Sequence, residues 1–203
     1  MGLWADRILP RIIDRGMRND FMAEHRHRAA PLASGRVLEI GCGSGLNFPL
    51  YTGQVEHIFG LEPSAYLRDK AQELTAQAPC PVELMDASAE SIPLERDAVD
   101  TVVSSWTLCS IADIEVSLQE IRRVLRPDGR FVFIEHGRSP EQRISRWQDR
   151  LVPLSTRLLG CSLNRPMGEL IVQAGFALTE MDAGYVEGPR LIAYHYIGQA
   201  QPV

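Results

Sequence analysis

Apolar and polar positions change period several times along the chain, and each change predicts an element. Residues 3–28 set Leu3, Trp4, Ile8, Leu9, Ile12, Ile13, Met17, Phe21 and Met22 at near-helical spacing, with arginines on the opposite face. Pro10 interrupts that run, which predicts two short helices or a kink. From Arg36 onward, strand-like and helix-like segments alternate. RVLEIG (36–41) is a β-branched run ending in glycine, with a helix expected around residues 47–51. EHIFGLE (56–62) reads as a second strand, and residues 64–78 as a helix with Leu67, Ala71 and Leu74 on one face. PVELMD (81–86) is a third strand. AVDTVVSS (98–105) is a fourth, apolar enough to be buried on both faces as parallel strands are. Ile114, Leu118, Ile121 and Leu125 mark an amphipathic helix closed by Arg126, Pro127, Asp128 and Gly129. RFVFIEH (130–136) is a fifth strand, and helices are expected near 140–159 and over 166–174, the latter ending at Gly175. FALTEMD (176–182) and RLIAYHYIG (190–198) form a last strand pair around a turn with Gly184, Gly188 and Pro189.

This alternation predicts a doubly wound α/β fold, with a mostly parallel seven-stranded sheet and one late antiparallel strand. Residues 1–30 form an N-terminal helical lid or cap, and residues 31–203 the main domain. Ligands of such sheets sit beyond the carboxyl ends of the strands, at the switch point.

Composition narrows the partners. With 203 residues, 45% of them hydrophobic, the chain suits one domain with a substantial core. A net charge of -5 argues against a phosphate-backbone binder, so no nucleic-acid partner is expected. Cys42, Cys80, Cys109 and Cys161 are scattered, without paired metal-ligand spacing or a disulfide framework, so no metal is expected and a reducing compartment is. Asp6, Arg7, Arg11, Asp14 and Arg15 break any signal-peptide core, and Asp6 spoils a myristoylation motif at Gly2. No apolar run approaches the ~18 residues of a membrane span. A cytoplasmic protein, monomeric or homodimeric, is the expectation. The N-terminal helix keeps two readings, a lid on the domain or a peripheral contact with a membrane surface.

The sharpest motif is Glu39-Ile-Gly41-Cys42-Gly43-Ser-Gly45, directly after the first strand. Glycines serve where backbone angles are unusual or a ligand must approach closely. A dinucleotide fingerprint would need glycine at Leu46, and a phosphate loop would need a nearby lysine; neither is present. An acid ahead of the loop suits a ligand without phosphate, since Glu39 repels pyrophosphate and attracts an amine. Glu62, at the tip of the second strand, is placed to accept hydrogen bonds from ribose hydroxyls. Asp86, at the tip of the third, is a candidate acceptor for an adenine amino group, or a cap of the following turn.

On these residues the chain resembles the class I S-adenosylmethionine-dependent methyltransferases of small-molecule type, over residues 36–137. VLEIGCGSG is similar to that family's first motif, GLEPS to its ribose-binding acid and MDASAESIP to its adenine-contacting segment. VDTVVSSWTLCSI and EIRRVLRPDGRFVFIEH are similar to its fourth- and fifth-strand segments. The resemblance implies a Rossmann-like methyltransferase fold, S-adenosylmethionine as cofactor, and a cofactor site of Glu39, Gly41, Cys42, Gly43, Gly45, Asn47, Glu62, Pro63, Asp86, Ala87, Ser104 and Leu108. A narrower likeness, in LCS (108–110), RVLRPDG, EH and GCSLNR (160–165), is to the thiol S-methyltransferases of animal membranes and their bacterial relatives. It implies transfer to a small sulfur nucleophile. Those animal proteins begin with an apolar anchor, whereas this chain begins with a charged amphipathic helix.

A thiol reacts as its thiolate and asks little beyond a site that favours deprotonation, while a hydroxyl or carbon acceptor needs a positioned base. Trp106, Thr107 and Leu108 are candidates for the methyl-transfer end, or else core. His136 is a candidate to take a proton or stabilise a thiolate, or else structural. Asn164 and Arg165 are candidates to orient an acceptor, with Asn164 alternatively capping the helix at Pro166. Cys109 and Cys161 suggest a thiol relay or arsenite capture, or simply small buried side chains. The competing readings are a methyltransferase for a quinone, phospholipid or amine, and a cofactor-binding regulatory protein without turnover. The fourth strand carries Ser104-Ser105-Trp106-Thr107 where a nucleic-acid methylase would carry an Asn-Pro-Pro-Tyr tetrad.

Overall fold

The computed structural model describes residues 4–203. Leu3 of the N-terminal apolar pattern and Gly2 of the rejected lipidation motif lie outside the described residues, as does the Asp6 side chain. Seven strands form one sheet in the order β3-β2-β1-β4-β5-β7-β6. They are β1 (Gly35–Ile40), β2 (Val55–Leu61), β3 (Val82–Met85), β4 (Val99–Ser105), β5 (Leu125–His136), β6 (Phe176–Tyr185) and β7 (Tyr194–Pro202). The first five pair in parallel, and β7 runs antiparallel to both β5 and β6. The expected doubly wound, mostly parallel sheet with one late antiparallel strand is the fold observed. The helices are α1 (Leu9–Gly16), α2 (Asp20–Ala29), α3 (Ala65–Leu74), α4 (Ile114–Val124), α5 (Gln142–Leu159) and α6 (Met167–Gln173). None of the helices of the described residues is long and apolar enough to cross a membrane.

Alternation along the strands builds one core on each face. Leu38, Ile40, Val102, Phe131 and Phe133 pack with Leu118 and Ile121 of α4 and Met167 and Ile171 of α6. Val37, Ile58, Val103, Val132 and Ile134 point the other way, onto Ala29, Phe48 and Ala71. Each fully buried side chain of this size stabilises the fold by roughly 1.5–3 kcal/mol relative to exposure.

One local expectation is extended and three are corrected. Just before Pro10 a π-helical segment, Trp4–Ile8, gives way to α1, with Pro10 in its first turn where no N–H is required, and a further break falls at Met17–Asn19. Asn19 makes the break by accepting from Met22 N at 2.9 Å and donating to Gly16 O at 2.7 Å. The helix expected at 47–51 is a single 3₁₀ turn, Phe48–Leu50, which Pro49 starts and an extended Tyr51 stops. Leu125 begins β5 instead of ending α4, and the RPDG segment is a bulge between the pairs Val99↔Leu125 and Thr101↔Arg130. Finally, β6 runs through Gly184 to Tyr185, so the last turn starts later than expected.

Candidate active site

The sheet order reverses between β1 and β4, and a cavity of about 460 Å³ opens there beyond the strand ends. The loop after β1 forms its floor. Gly41 takes φ +59°, and a Cβ there would stand 2.3 Å from Thr107 Cγ2, so only glycine lets this loop meet the turn after β4. Gly43, at φ +57°, has nothing nearer to a Cβ than Gly41 O at 4.0 Å, leaving its bare backbone facing the cavity.

Two buried carboxylates flank this floor. Glu62 accepts from Gly43 N at 3.0 Å and from Ser64 N at 2.8 Å, which fixes the carboxyl in one plane. Burial raises its pKa despite those two bonds and nearby Arg68. Glu39 accepts from Asn47 Nδ2 at 2.9 Å and from Tyr51 Oη at 2.8 Å. Burial pushes it up to about 7, against those bonds and the charge of Arg26.

The N-terminal helices form the roof through Ile13, Asp14, Met17 and Arg26. Asp14 accepts from Ser44 Oγ at 2.5 Å and Arg18 Nη2 at 2.9 Å, tying α1 to the glycine loop. Arg26 is 6% exposed, donates to Met17 O at 2.9 Å, and lies 5.2 Å over the Trp106 ring.

Trp106 closes the far end with φ +53°, a conformation costly for a non-glycine residue. The turn that carries it is held on both sides. Glu135 Oε1 accepts from Ser104 Oγ at 2.6 Å and from Thr107 N and Leu108 N at 3.0 Å each. Arg165 donates to Leu108 O and to Ile111 O. Behind Trp106 stand the rings of His25 and His195, at 6.4 and 6.2 Å between centroids, with His136 6.4 Å beyond His195. Burial holds His195 down to about 4, so this ring is neutral at ordinary pH.

Of the residues singled out in the sequence, Glu39, Gly41, Cys42, Gly43, Asn47, Glu62, Pro63, Ala87, Trp106 and Thr107 line the cavity together. The others stand elsewhere. Gly45 packs on Phe48, and Leu108 is core. Asp86 is turned to Arg68, with contacts of 3.1 and 2.8 Å, and the wall beside it is Ala87, Ser88 and Ala89. Ser104 serves Glu135. His136 sits behind the wall beside Cys109 and Cys161. Asn164 braces Asp149 of α5 at 2.8 Å and does not cap α6, whose cap residue is Pro166. Sequence reasoning missed Arg26, Asp14 and Met17 as site residues, for which the amphipathic N-terminal run, apolar at Met17 and arginine-rich opposite, was the only signal. It also missed Glu135, which the Glu-His pair at the end of β5 had placed one residue from His136.

A glycine floor, two buried acids on adjacent strand tips and a helical roof define an α/β enzyme built around a nucleoside-type ligand. Residues 38–133 match the family described as "Methyltransferase domain". The 2-phytyl-1,4-naphtoquinone methyltransferase of Trichormus variabilis is 31% identical over 68% of this chain and 71% of its own. Human thiol S-methyltransferase TMT1A is 29% identical over 85% of this chain and 72% of its own. The mitochondrial methyltransferase OMS1 of Saccharomyces cerevisiae is 26% identical over 84% of this chain, which spans only 38% of that protein. Among solved structures, a Haloferax volcanii methyltransferase in complex with the Trm112 methyltransferase activator superposes with a TM-score of 0.71 at 20% identity, over 98% of this chain and 97% of its own.

The chain belongs to the class I S-adenosylmethionine-dependent methyltransferases, and S-adenosylmethionine is its methyl donor. Its residues fit that group. The cradle at Gly43 is one a side chain would fill, Glu62 keeps lone pairs free for two hydroxyls, and Glu39 is a buried acid whose ionisation a neighbouring cation would favour.

Proposed function

We propose that the chain methylates a small thiol, yielding a methyl thioether. The observation that carries this reading is Arg26, the one basic residue lining the cavity among the described residues, buried and stacked on Trp106. A buried guanidinium favours the thiolate over the thiol, and the thiolate is the nucleophile. When bound, the donor supplies an electrophilic methyl carried on a sulfonium. The chain's own part is to hold the acceptor sulfur, its proton lost to solvent, at the Trp106 end. Trp106 and Met17 exclude water there, while Gly43, Glu62 and Glu39 fix the donor opposite. The likeness to a thiol S-methyltransferase supports the same acceptor. The test supplies methyl-labelled donor with a small thiol and its hydroxyl and amine analogues. A labelled thioether from the thiol alone is expected; product from another acceptor only, or none while the donor binds, overturns the reading.

A second reading, a lipid-borne acceptor such as a quinol, rests on a separate observation. Trp4, Ile8 and Ile12 stand exposed beside Arg7, Arg11 and Arg15, and Trp4 Nε1 reaches Leu158 O at 3.3 Å on α5. There Leu154, Leu158 and Leu159 are exposed as well. Such a face suits an interfacial helix pair. Co-flotation with anionic vesicles, together with turnover on a quinol, favours this reading over the first.

A further inference from the structure

Behind the turn that carries Trp106, three side chains that the methyl-transfer site leaves unused converge from distant parts of the chain. Cys109 comes from the turn after β4, His136 from the last position of β5, and Cys161 from the segment that leaves α5 at left-handed Gly160. One sulfur or nitrogen from each lies within 4.8 Å of the other two, and none of the three lines the donor cavity.

Their hydrogen bonding is poor for buried groups. His136 Nδ1 is buried without a hydrogen-bond partner, and Cys109 Sγ, besides lying against Cys161, makes only long contacts to Trp106 O and Ser110 Oγ, each at 3.6 Å. An unpaired buried imidazole nitrogen costs free energy that a ligand would recover. The backbones that carry these groups are tied together independently: Ser162 N donates to Cys109 O at 2.8 Å, and Arg165 holds the carbonyls of Leu108 and Ile111. Such outer contacts orient metal ligands before a metal arrives.

We propose that Cys109, His136 and Cys161 form a binding site for a thiophilic cation of the zinc class. In a tetrahedral site with Zn–S near 2.3 Å and Zn–N near 2.0 Å, neighbouring ligand atoms lie about 3.5–3.8 Å apart, so a cluster within 4.8 Å needs to contract by at most about 1 Å. Two sulfurs and one imidazole select zinc, cadmium or cuprous ion over magnesium or calcium. Coordination replaces both S–H bonds by S–metal bonds, and the two protons leave to solvent, so a divalent ion is neutralised by its ligands. Cys161 is the less buried of the two cysteines and marks the side of entry, where a water completes the coordination. The bound ion pins the turn bearing Trp106 to β5 and to the segment after α5, which is a structural role separate from methyl transfer.

The test is anaerobic titration of the chelator-treated protein with cobalt(II), in the presence of a phosphine reductant. The expected result is one equivalent bound, with intense tetrahedral d–d bands and a thiolate-to-metal charge-transfer band, bleached by one equivalent of zinc. Two thiols should disappear from a thiol count as zinc is added, and the melting temperature should rise. Cys161→Ser, at a partly exposed position, should fold and lose the charge-transfer intensity, as should Cys109→Ser, whereas Cys80→Ser should keep it. Absence of a saturable band in the unmutated protein, or an unchanged band in Cys161→Ser, overturns the proposal.

Discussion

Across the cavity, two walls hold functional groups still by opposite means. Along β1 and β2 the wall is built from two adjacent strand tips: Ser64, two residues from Glu62, and Gly43, in the loop after the neighbouring β1, fix Glu62 directly through their N–H groups. Across from it, the turn carrying Trp106 is held by residues far along the chain. Glu135 binds it from β5, and Arg165 from the segment before α6. The first wall keeps carboxylate lone pairs facing the cavity, and the second turns its polar groups onto its own backbone. Substitutions in the first should therefore act more on binding than on stability, and those in the second should do the reverse.

The largest effect is expected at Glu135. Glu135→Ala leaves Ser104 Oγ, Thr107 N and Leu108 N without their shared buried acceptor, and should cost about 3–5 kcal/mol in denaturant unfolding. A loss under about 1 kcal/mol would show that the turn holds without it. Next comes Glu62→Ala, expected to weaken donor binding by about 1–3 kcal/mol in titration calorimetry while lowering the unfolding midpoint less than Glu135→Ala does. If the midpoint falls and the affinity does not, the first wall is structural too.

The third effect is a pH dependence. In the folded, ligand-free protein Glu39 binds its proton more tightly than in the unfolded chain, with its pKa pushed up to about 7 by burial. Stability from this group is thus fully present below its unfolded pKa near 4.5 and is lost as pH rises toward 7, by about 1–3 kcal/mol. Glu39→Gln should flatten that slope, read as the difference between the two proteins' unfolding curves from pH 4.5 to 7.5. Donor binding to the unmutated protein near pH 6.5 should release a proton, detectable by calorimetry in buffers of different ionisation enthalpy. An identical slope in both proteins would remove Glu39 from the account. The smallest effect is expected at Asp86, exposed and paired with Arg68. Asp86→Asn should change stability by about 0–1 kcal/mol and donor affinity by less than Glu62→Ala does, measured side by side.

The same contrast explains what was legible in the sequence. β1 to β5, the glycine loop and Glu62 could be read because each depends on neighbours a few residues away: a period of two, a run of glycines, an acid at a strand tip. Cysteine spacing did not bring Cys109, His136 and Cys161 together, because spacing detects only groups that share a hairpin or helix, and these three meet through the tertiary fold. His136 was visible as chemistry but not as position. Its ring packs behind the wall because the antiparallel β7 brings His195 opposite it. Arg26 was hidden because nothing in an arginine-rich helix face says which arginine turns inward to meet Trp106.

The place of β7 also bears on how the protein is made. β6 pairs only with β7, and β7 lies between β6 and β5, so on a growing chain β6 has nowhere to dock when it emerges. Until Tyr194–Pro202 is synthesised, β5 has a bare edge from Phe131 to His136, while β1 to β4 already have all their partners. Synthesis thus passes through a stage at which the strands that floor the donor cavity are in place but an apolar strand edge stands open to a neighbouring chain.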